Sequence, residues 1–284
     1  MSTSIFLIHR VAPRLNDRWG LTIDPDEFER FVTALAASGT LVTLAEALTP
    51  APADHREVRC AITFDDAYDD LRRHAFPLLE RLGAPATLFP PTAHVADGTP
   101  FWWEALRWLE QHPAELAAAA RRWGWRMEGC PEATVDRWCP RFKRMSPGER
   151  DERIAEIGLP PGLPGAMDIA GLKGLPETVR VECHGHSHTV LSALTAGQLR
   201  DELERSRTLL ESWTGHRPTI FAYPNGQPED FSAEHFATLR DHGLNRAVTT
   251  VPGTVGAGHG PYEVPRIGLI PGRAEHQLMK ALGA

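Results

Sequence analysis

The chain has 284 residues, 42% of them hydrophobic and 24% charged, with a formal net charge of -7 at pH 7. That length accommodates a single α/β barrel, and that composition excludes extensive disorder. The negative balance and the lack of a basic run exclude a nucleic-acid backbone as the main partner; no stretch reaches the roughly 18 apolar residues of a membrane span.

Ile5 to Ile8 predicts a short buried strand. The stretch before it has no basic region, and its apolar run is too short for a signal-peptide core, so a cytoplasmic location is expected. Asp24-Pro25 then reads as an N-cap with proline in the first turn, and Phe28, Phe31, Val32 and Leu35 recur at helical spacing up to Gly39. Thr49 to Ala53 reads as a loop. Val58 to Phe64 is an apolar run of strand length that delivers Asp65 and Asp66 at its C-terminal end. Leu71, Ala75, Leu78, Leu79 and Leu82 mark a helix that Pro77 should kink or restart, and Ala86 to Phe89 is the next strand.

The alternation then breaks. Six of the eight tryptophans fall between Trp102 and Trp138, and residues 97–176 read as a helical, Trp-rich insertion within one domain covering 1–284. The strand-helix rhythm resumes with Val179 to Cys183, a capping box at Thr195 and Gln198, a strand at Thr219 to Ala222, a helix around Ala233 to His242, and a strand at Ala247 to Thr250. Strands alternating with helices predict an α/β fold with a parallel, barrel-like sheet. In such folds the chemistry gathers at the C-terminal ends of the strands. The four cysteines, Cys60, Cys130, Cys139 and Cys183, form no C-x-x-C pair and read as reduced thiols.

His184-Gly185-His186-Ser187-His188 places imidazoles at a strand end, and Asp65-Asp66 places two carboxylates at another. Two imidazoles and one carboxylate make the ligand set of a catalytic zinc site with an open position for water, which leaves the second carboxylate free to act as a base. Alternation along the segment turns His186 away from its neighbours, so it reads as structural, as does Cys183. Clustered tryptophans in a helical segment read chiefly as core, with Trp102 and Trp103 the best candidates for a sugar-stacking surface.

Thr63-Phe64-Asp65-Asp66 resembles the first motif of the polysaccharide deacetylases, the NodB-homology or carbohydrate esterase family four. His184, His188 and Leu191 match the second motif. Phe221-Ala222-Tyr223-Pro224-Asn225-Gly226 is similar to the third, and Gly243 to Gly253 is similar to the segment that follows it. Phe101 to Glu104, Val264 to Ile267 and Ile8-His9-Arg10-Val11 resemble motifs of one bacterial branch, in which the strand bearing the acid histidine lies at the N-terminus. The resemblance implies a distorted (β/α)7-type barrel with a helical insertion. It also implies Asp65 as base, His9 as general acid, and Asp66, His184 and His188 as metal ligands. Tyr223, Pro224, Asn225 and Arg266 are expected to bind substrate, with a backbone N–H near Asn225 aimed at the oxyanion. Ala67 stands where glycine is usual, Gly185 where serine or threonine is usual, and Ala222 where many members brace the base with arginine; Arg266, rather than Arg10, is the preferred replacement brace.

The implied activity is metal-dependent removal of an acyl group from an acetylated amino sugar or glycoconjugate. Zinc is the cation expected from ligand type, with cobalt, nickel or iron(II) able to occupy the same set. The alternatives are a non-sugar amide or cyclic ureide hydrolase on the same site, and a metal- or glycan-binding barrel without turnover.

Overall fold

The computed structural model describes residues 3–13, 17–49, 58–256 and 258–283. The loop reading at Thr49 to Ala53 lies outside them from residue 50 on. The chain begins with strand β1 (Thr3–Ile8), then the short parallel pair β2 (Arg10–Val11) and β3 (Thr22–Ile23). Helix α1 (Pro25–Ala37) starts where expected, with the Asp24 side chain accepting from Asp26 N. After α2 (Leu44–Ala47) comes β4 (Arg59–Asp65). The helix expected over Leu71 to Leu82 is two, α3 (Leu71–His74) and α4 (Phe76–Leu82), because Pro77 restarts it and occupies the first turn of the second. Strand β5 (Ala86–Phe89) follows.

Six helices then separate β5 from the next strand: α5 (Thr92–Asp97), α6 (Trp102–Gln111), α7 (Pro113–Trp123), α8 (Pro131–Arg144), α9 (Pro147–Ile157) and α10 (Ile169–Lys173). Trp123, Trp125, Trp138 and Phe142 pack edge-on and tilted against one another with centroids 5.2 to 5.8 Å apart. These helices therefore enclose a core of their own.

The remaining elements are β6 (Val179–Val181), α11 (Ala196–Thr214), β7 (Ile220–Ala222), α12 (Glu234–Asp241), β8 (Arg246–Pro252), β9 (Val264–Gly268) and α13 (Ala274–Leu282). The expected capping box at Thr195 and Gln198 is present. Strand β9, helix α13 and the β2–β3 pair lie outside the elements that hydrophobic periodicity predicts.

Seven strands form one curled parallel sheet in the order β6-β5-β4-β1-β9-β8-β7, a distorted (β/α)7-type barrel. Ile5 pairs with Ala61 and Phe6 with Ile62. One alternating set, including Ile5, Ala61, Phe89, Ala222, Val248 and Val264, fills the interior. The other, including Phe6, Ile8, Ile62 and Phe64, packs outward on α1 and α4. Each fully buried Ile, Val or Phe side chain among them contributes about 1.5–3 kcal/mol.

Among the described residues, the two edges of the sheet pair through their backbones at its upper end. Cys183 bridges Phe221, donating to Ile220 O at 3.1 Å and accepting from Ala222 N at 2.9 Å. Just below, the buried Glu182 carboxylate takes the place of a backbone partner and accepts from Thr219 N and Ile220 N at 2.7 and 2.8 Å. Glu182→Ala is expected to cost about 1–3 kcal/mol for the amides left unpaired, seen as a lower urea midpoint at unchanged slope. An unchanged midpoint would mean that the seam draws its strength elsewhere.

Candidate active site

The seam fixes where the chemistry-bearing residues meet, because His184 follows the bridging Cys183 directly. Along β4 the inward positions change from Ala61 through Thr63 to Asp65, so the interior is apolar below and charged above. Asp65 is met by Arg266 from β9, which donates from Nη1 to Oδ1 at 2.8 Å and from Nη2 to Oδ2 at 2.6 Å. Arg266 is 0% exposed and also donates to Thr249 O and Thr63 Oγ1. Burial alone would raise the Asp65 pKa, but Arg266 and His184 outweigh it and the value lies below the usual carboxylate range. Asp65 is thus a carboxylate held in a two-bond fork. The arginine missing at position 222 is replaced from another strand.

Asp66, His184 and His188 converge, with one ligand atom from each lying within 4.8 Å of the others. Asp66 Oδ1 stands 3.5 Å from His184 Nε2 and 3.1 Å from His188 Nε2. Ligands on a tetrahedral zinc at about 2.0–2.1 Å stand about 3.3–3.4 Å apart, so the observed separations bracket the requirement. The His184 ring is fixed by its other nitrogen: Nδ1 lies 2.8 Å from Ala222 O, a carbonyl that can only accept. The proton of neutral His184 therefore sits on Nδ1, and its Nε2 lone pair faces a carboxylate oxygen that accepts no hydrogen bond among the described residues. Two lone pairs directed at one another need a proton or a metal cation between them. With the protein groups alone, burial opposes the charge on Asp66 but the two imidazoles hold its pKa well below the ordinary value. Burial likewise opposes charge on His184, which its neighbours Asp65 and Asp66 raise nonetheless, whereas burial prevails at His188 and lowers it.

Backbone strain collects in the same place. Among the described residues the non-glycine positions with positive φ are Asp66 (68°), Ala67 (54°), His188 (54°) and Asn225 (59°). Each left-handed L-residue costs about 1–2 kcal/mol, and such positions gather where surroundings over-determine them. The left-handed turn at Ala67 explains why glycine is the easier residue there. Gly226 is required twice over, since its φ is 66° and a Cβ would lie 2.9 Å from Thr250 N.

A cavity of about 430 Å³ opens over this cluster. Asp66, His184, His188 and Asn225 reach it from the barrel, with His9, which follows β1 between the ends of β4 and β9. Trp102, Trp103 and Cys139 from the helical segment, with Trp19 and Leu21 from the approach to β3, form its apolar side. The Trp103 ring packs 4.7 Å from that of His188 and donates Nε1–H to Tyr68 Oη at 2.7 Å. Tyr68 donates in turn to Glu104 Oε1 at 2.9 Å, and Arg10 joins Glu104 to Asp70. Phe101-Trp102-Trp103-Glu104 is therefore a segment that shapes the cavity and anchors its own wall.

Of the residues expected to bind substrate, Asn225 alone lines this cavity. Tyr223 turns into the core, stacked on Phe231 at 4.0 Å and donating its hydroxyl to Tyr262 O, while its N–H is used by Val248 O. Pro224 lies in the turn beside it, and Arg266 is sealed behind Asp65; neither is part of the lining. Strand alternation explains this placement, since Ala222 faces inward and Tyr223 must face out. His186 points away from the trio, its Nδ1 2.8 Å from Thr92 Oγ1. Trp19, Leu21 and Cys139 of the lining carry no signal in spacing or motif, whereas Thr250 lies within the Gly243 to Gly253 segment.

The chain is similar to known proteins in both sequence and fold. The sequence profile of the family described as Polysaccharide deacetylase matches residues 174–247. YxkH of Bacillus subtilis (strain 168), a candidate polysaccharide deacetylase by its name, is 29% identical over 94 residues, 33% of this chain and 33% of that protein, so the match spans about a third of the curated relative. In overall fold the chain is similar to the Streptococcus pyogenes deacetylase PplD, solved in complex with acetate, with a TM-score of 0.67 at 16% identity over 99% of this chain and 98% of that one. It is also similar to IcaB from Ammonifex degensii, with a TM-score of 0.63 at 19% identity over 99% and 97%.

Proposed function

From the premise that this chain belongs to the polysaccharide deacetylase family, we propose that it is a metal-dependent amide hydrolase that removes the acyl group from an acetylated amino sugar. The observation that carries this reading is the confrontation of Asp66 Oδ1 with two imidazole Nε2 atoms, beside a carboxylate already held ionised by Arg266. Asp66, His184 and His188 would hold one divalent cation, zinc by ligand type, with cobalt, nickel or iron(II) as alternatives. Such a cation supplies Lewis acidity that polarises a carbonyl oxygen and makes water more acidic.

The protein's own groups divide the remaining work. Asp65 takes a proton from the attacking water as its oxygen bonds to the carbonyl carbon. The N–H of Asn225, in the strained turn after Pro224, is a donor toward the oxyanion. As the C–N bond breaks, His9 gives a proton to the departing amine, leaving a free amine and a carboxylate. The apolar side formed by Leu7, Trp19, Leu21 and Trp102 favours a second reading on the same machinery, a non-sugar amide or cyclic ureide.

Stoichiometric metal in the wild-type protein, its loss in His184→Ala, and acetate release from a panel of N-acetylated amino sugars are the expected results. Retention of full metal content by His184→Ala would remove the ligand assignment. Release from amides or ureides in place of any sugar would select the second reading.

A further inference from the structure

We infer that Arg150, in α9 of the helical segment, is a positioning residue of the metal centre that acts through the backbone carrying His188, with Glu202 of α11 as its counterpart. The inference rests on the metal site proposed above. Arg150 is 2% exposed and, among the described residues, has no carboxylate at ion-pair distance; Asp151 and Glu202 act on it only from further away. A buried charge without a partner is costly unless hydrogen bonds offset it. Its partners all belong to one loop: it donates to Ser187 O, to His188 O at 3.5 Å and to Thr189 Oγ1 at 3.3 Å. On the other side of the same backbone, Glu202 Oε2 accepts from His186 N and Ser187 N, both at 2.9 Å. The Ser187 residue is thus gripped at its N–H by an anion and at its carbonyl by a cation.

What this grip holds is the left-handed backbone of His188. The two histidines are oriented by different means. His184 is fixed at its ring by the bond from Nδ1 to Ala222 O, whereas His188 Nδ1 has no hydrogen-bond partner among the described residues. The direction of the His188 ring therefore comes from its backbone and from packing on Trp103. If φ at residue 188 relaxed to the ordinary negative range, the imidazole would swing away from Asp66. Arg150 brings the helical segment into the metal centre, joining α9 to a ligand loop 38 residues further on.

The test is zinc affinity of the metal-stripped full chain, measured by competition with a chromophoric chelator, beside the Tm of the metal-free protein. Wild type, Arg150→Met, Arg150→Lys and, as a control on the same helix, Arg153→Met are compared. Loss of a residue that orients a ligand from outside the coordination sphere typically costs about 10- to 100-fold in metal affinity, and that loss is expected for Arg150→Met. Arg150→Lys, which keeps the charge but not the fork, is expected to fall between, and Arg153→Met to bind as wild type. A drop in metal-free Tm with unchanged zinc affinity in Arg150→Met would overturn the inference while leaving the metal site intact. Should Arg150→Met fail to fold, Arg150→Lys decides, and wild-type affinity there overturns it. A wild-type chain that binds no zinc overturns the metal site, and this inference with it.

Discussion

Asp65→Asn is expected to keep its metal and to lose acetate release by about 100- to 10,000-fold, the range of a general base. Asparagine preserves the shape and one acceptor oxygen but cannot take the proton of the attacking water. Its neighbours Asp66, His184 and His188 are untouched, so the ligand set stays complete. Arg266 would face a neutral partner while keeping its bonds to Thr249 O and Thr63 Oγ1. Tm should therefore fall as well, which is why metal content and melting are measured on the same preparation. Undiminished turnover in a folded, metal-loaded Asp65→Asn protein would exclude this carboxylate as the base.

Arg266→Met is expected to act more through stability. Removing one partner of a buried ion pair leaves the other charge uncompensated, at about 3–5 kcal/mol. Asp65 can escape part of that cost by taking up a proton, because the effect of burial, which raises its pKa, would no longer be outweighed by the guanidinium. The sign follows: the base works as a carboxylate, so a raised pKa moves the acidic limb of the pH-rate profile to higher pH. Arg266→Lys restores charge but not the two-bond fork and is expected to recover part of both effects. An unshifted acidic limb in Arg266→Met, measured under conditions where the protein is folded, would show that Arg266 does not tune Asp65.

The candidate ligand trio is legible in the sequence because each member follows an apolar strand and two of them share a spacing of four. Strand and helix alternation is equally legible, since burial imposes its period on the residues themselves. Arg266 is visible only as a candidate: the gap at Ala222 calls for a cation, but the partner lies 201 positions away from Asp65 and only strand order brings them together. The place of the Tyr223 ring is not legible from its motif, which marks the turn beside the site, while alternation sends that ring to the core. Glu182, Arg150 and Glu202 carry no signal at all. Each is a single polar residue on an otherwise ordinary strand or helix, and its role exists only once distant backbone amides or carbonyls have been folded against it.

Strand β1 runs parallel between β4 and β9, and α1 packs beside α13, where Glu27 accepts from Gly272 N and Ala274 N. The slot that carries His9 is therefore adjacent in space to the last strand of the barrel, although it comes first along the chain. A barrel of this kind is circular, and its pocket depends on which strands are neighbours, not on which is made first. Carrying the β1 segment on the far side of β9 along the chain instead of at its start would leave β1 between β4 and β9 and return the same histidine to the same place.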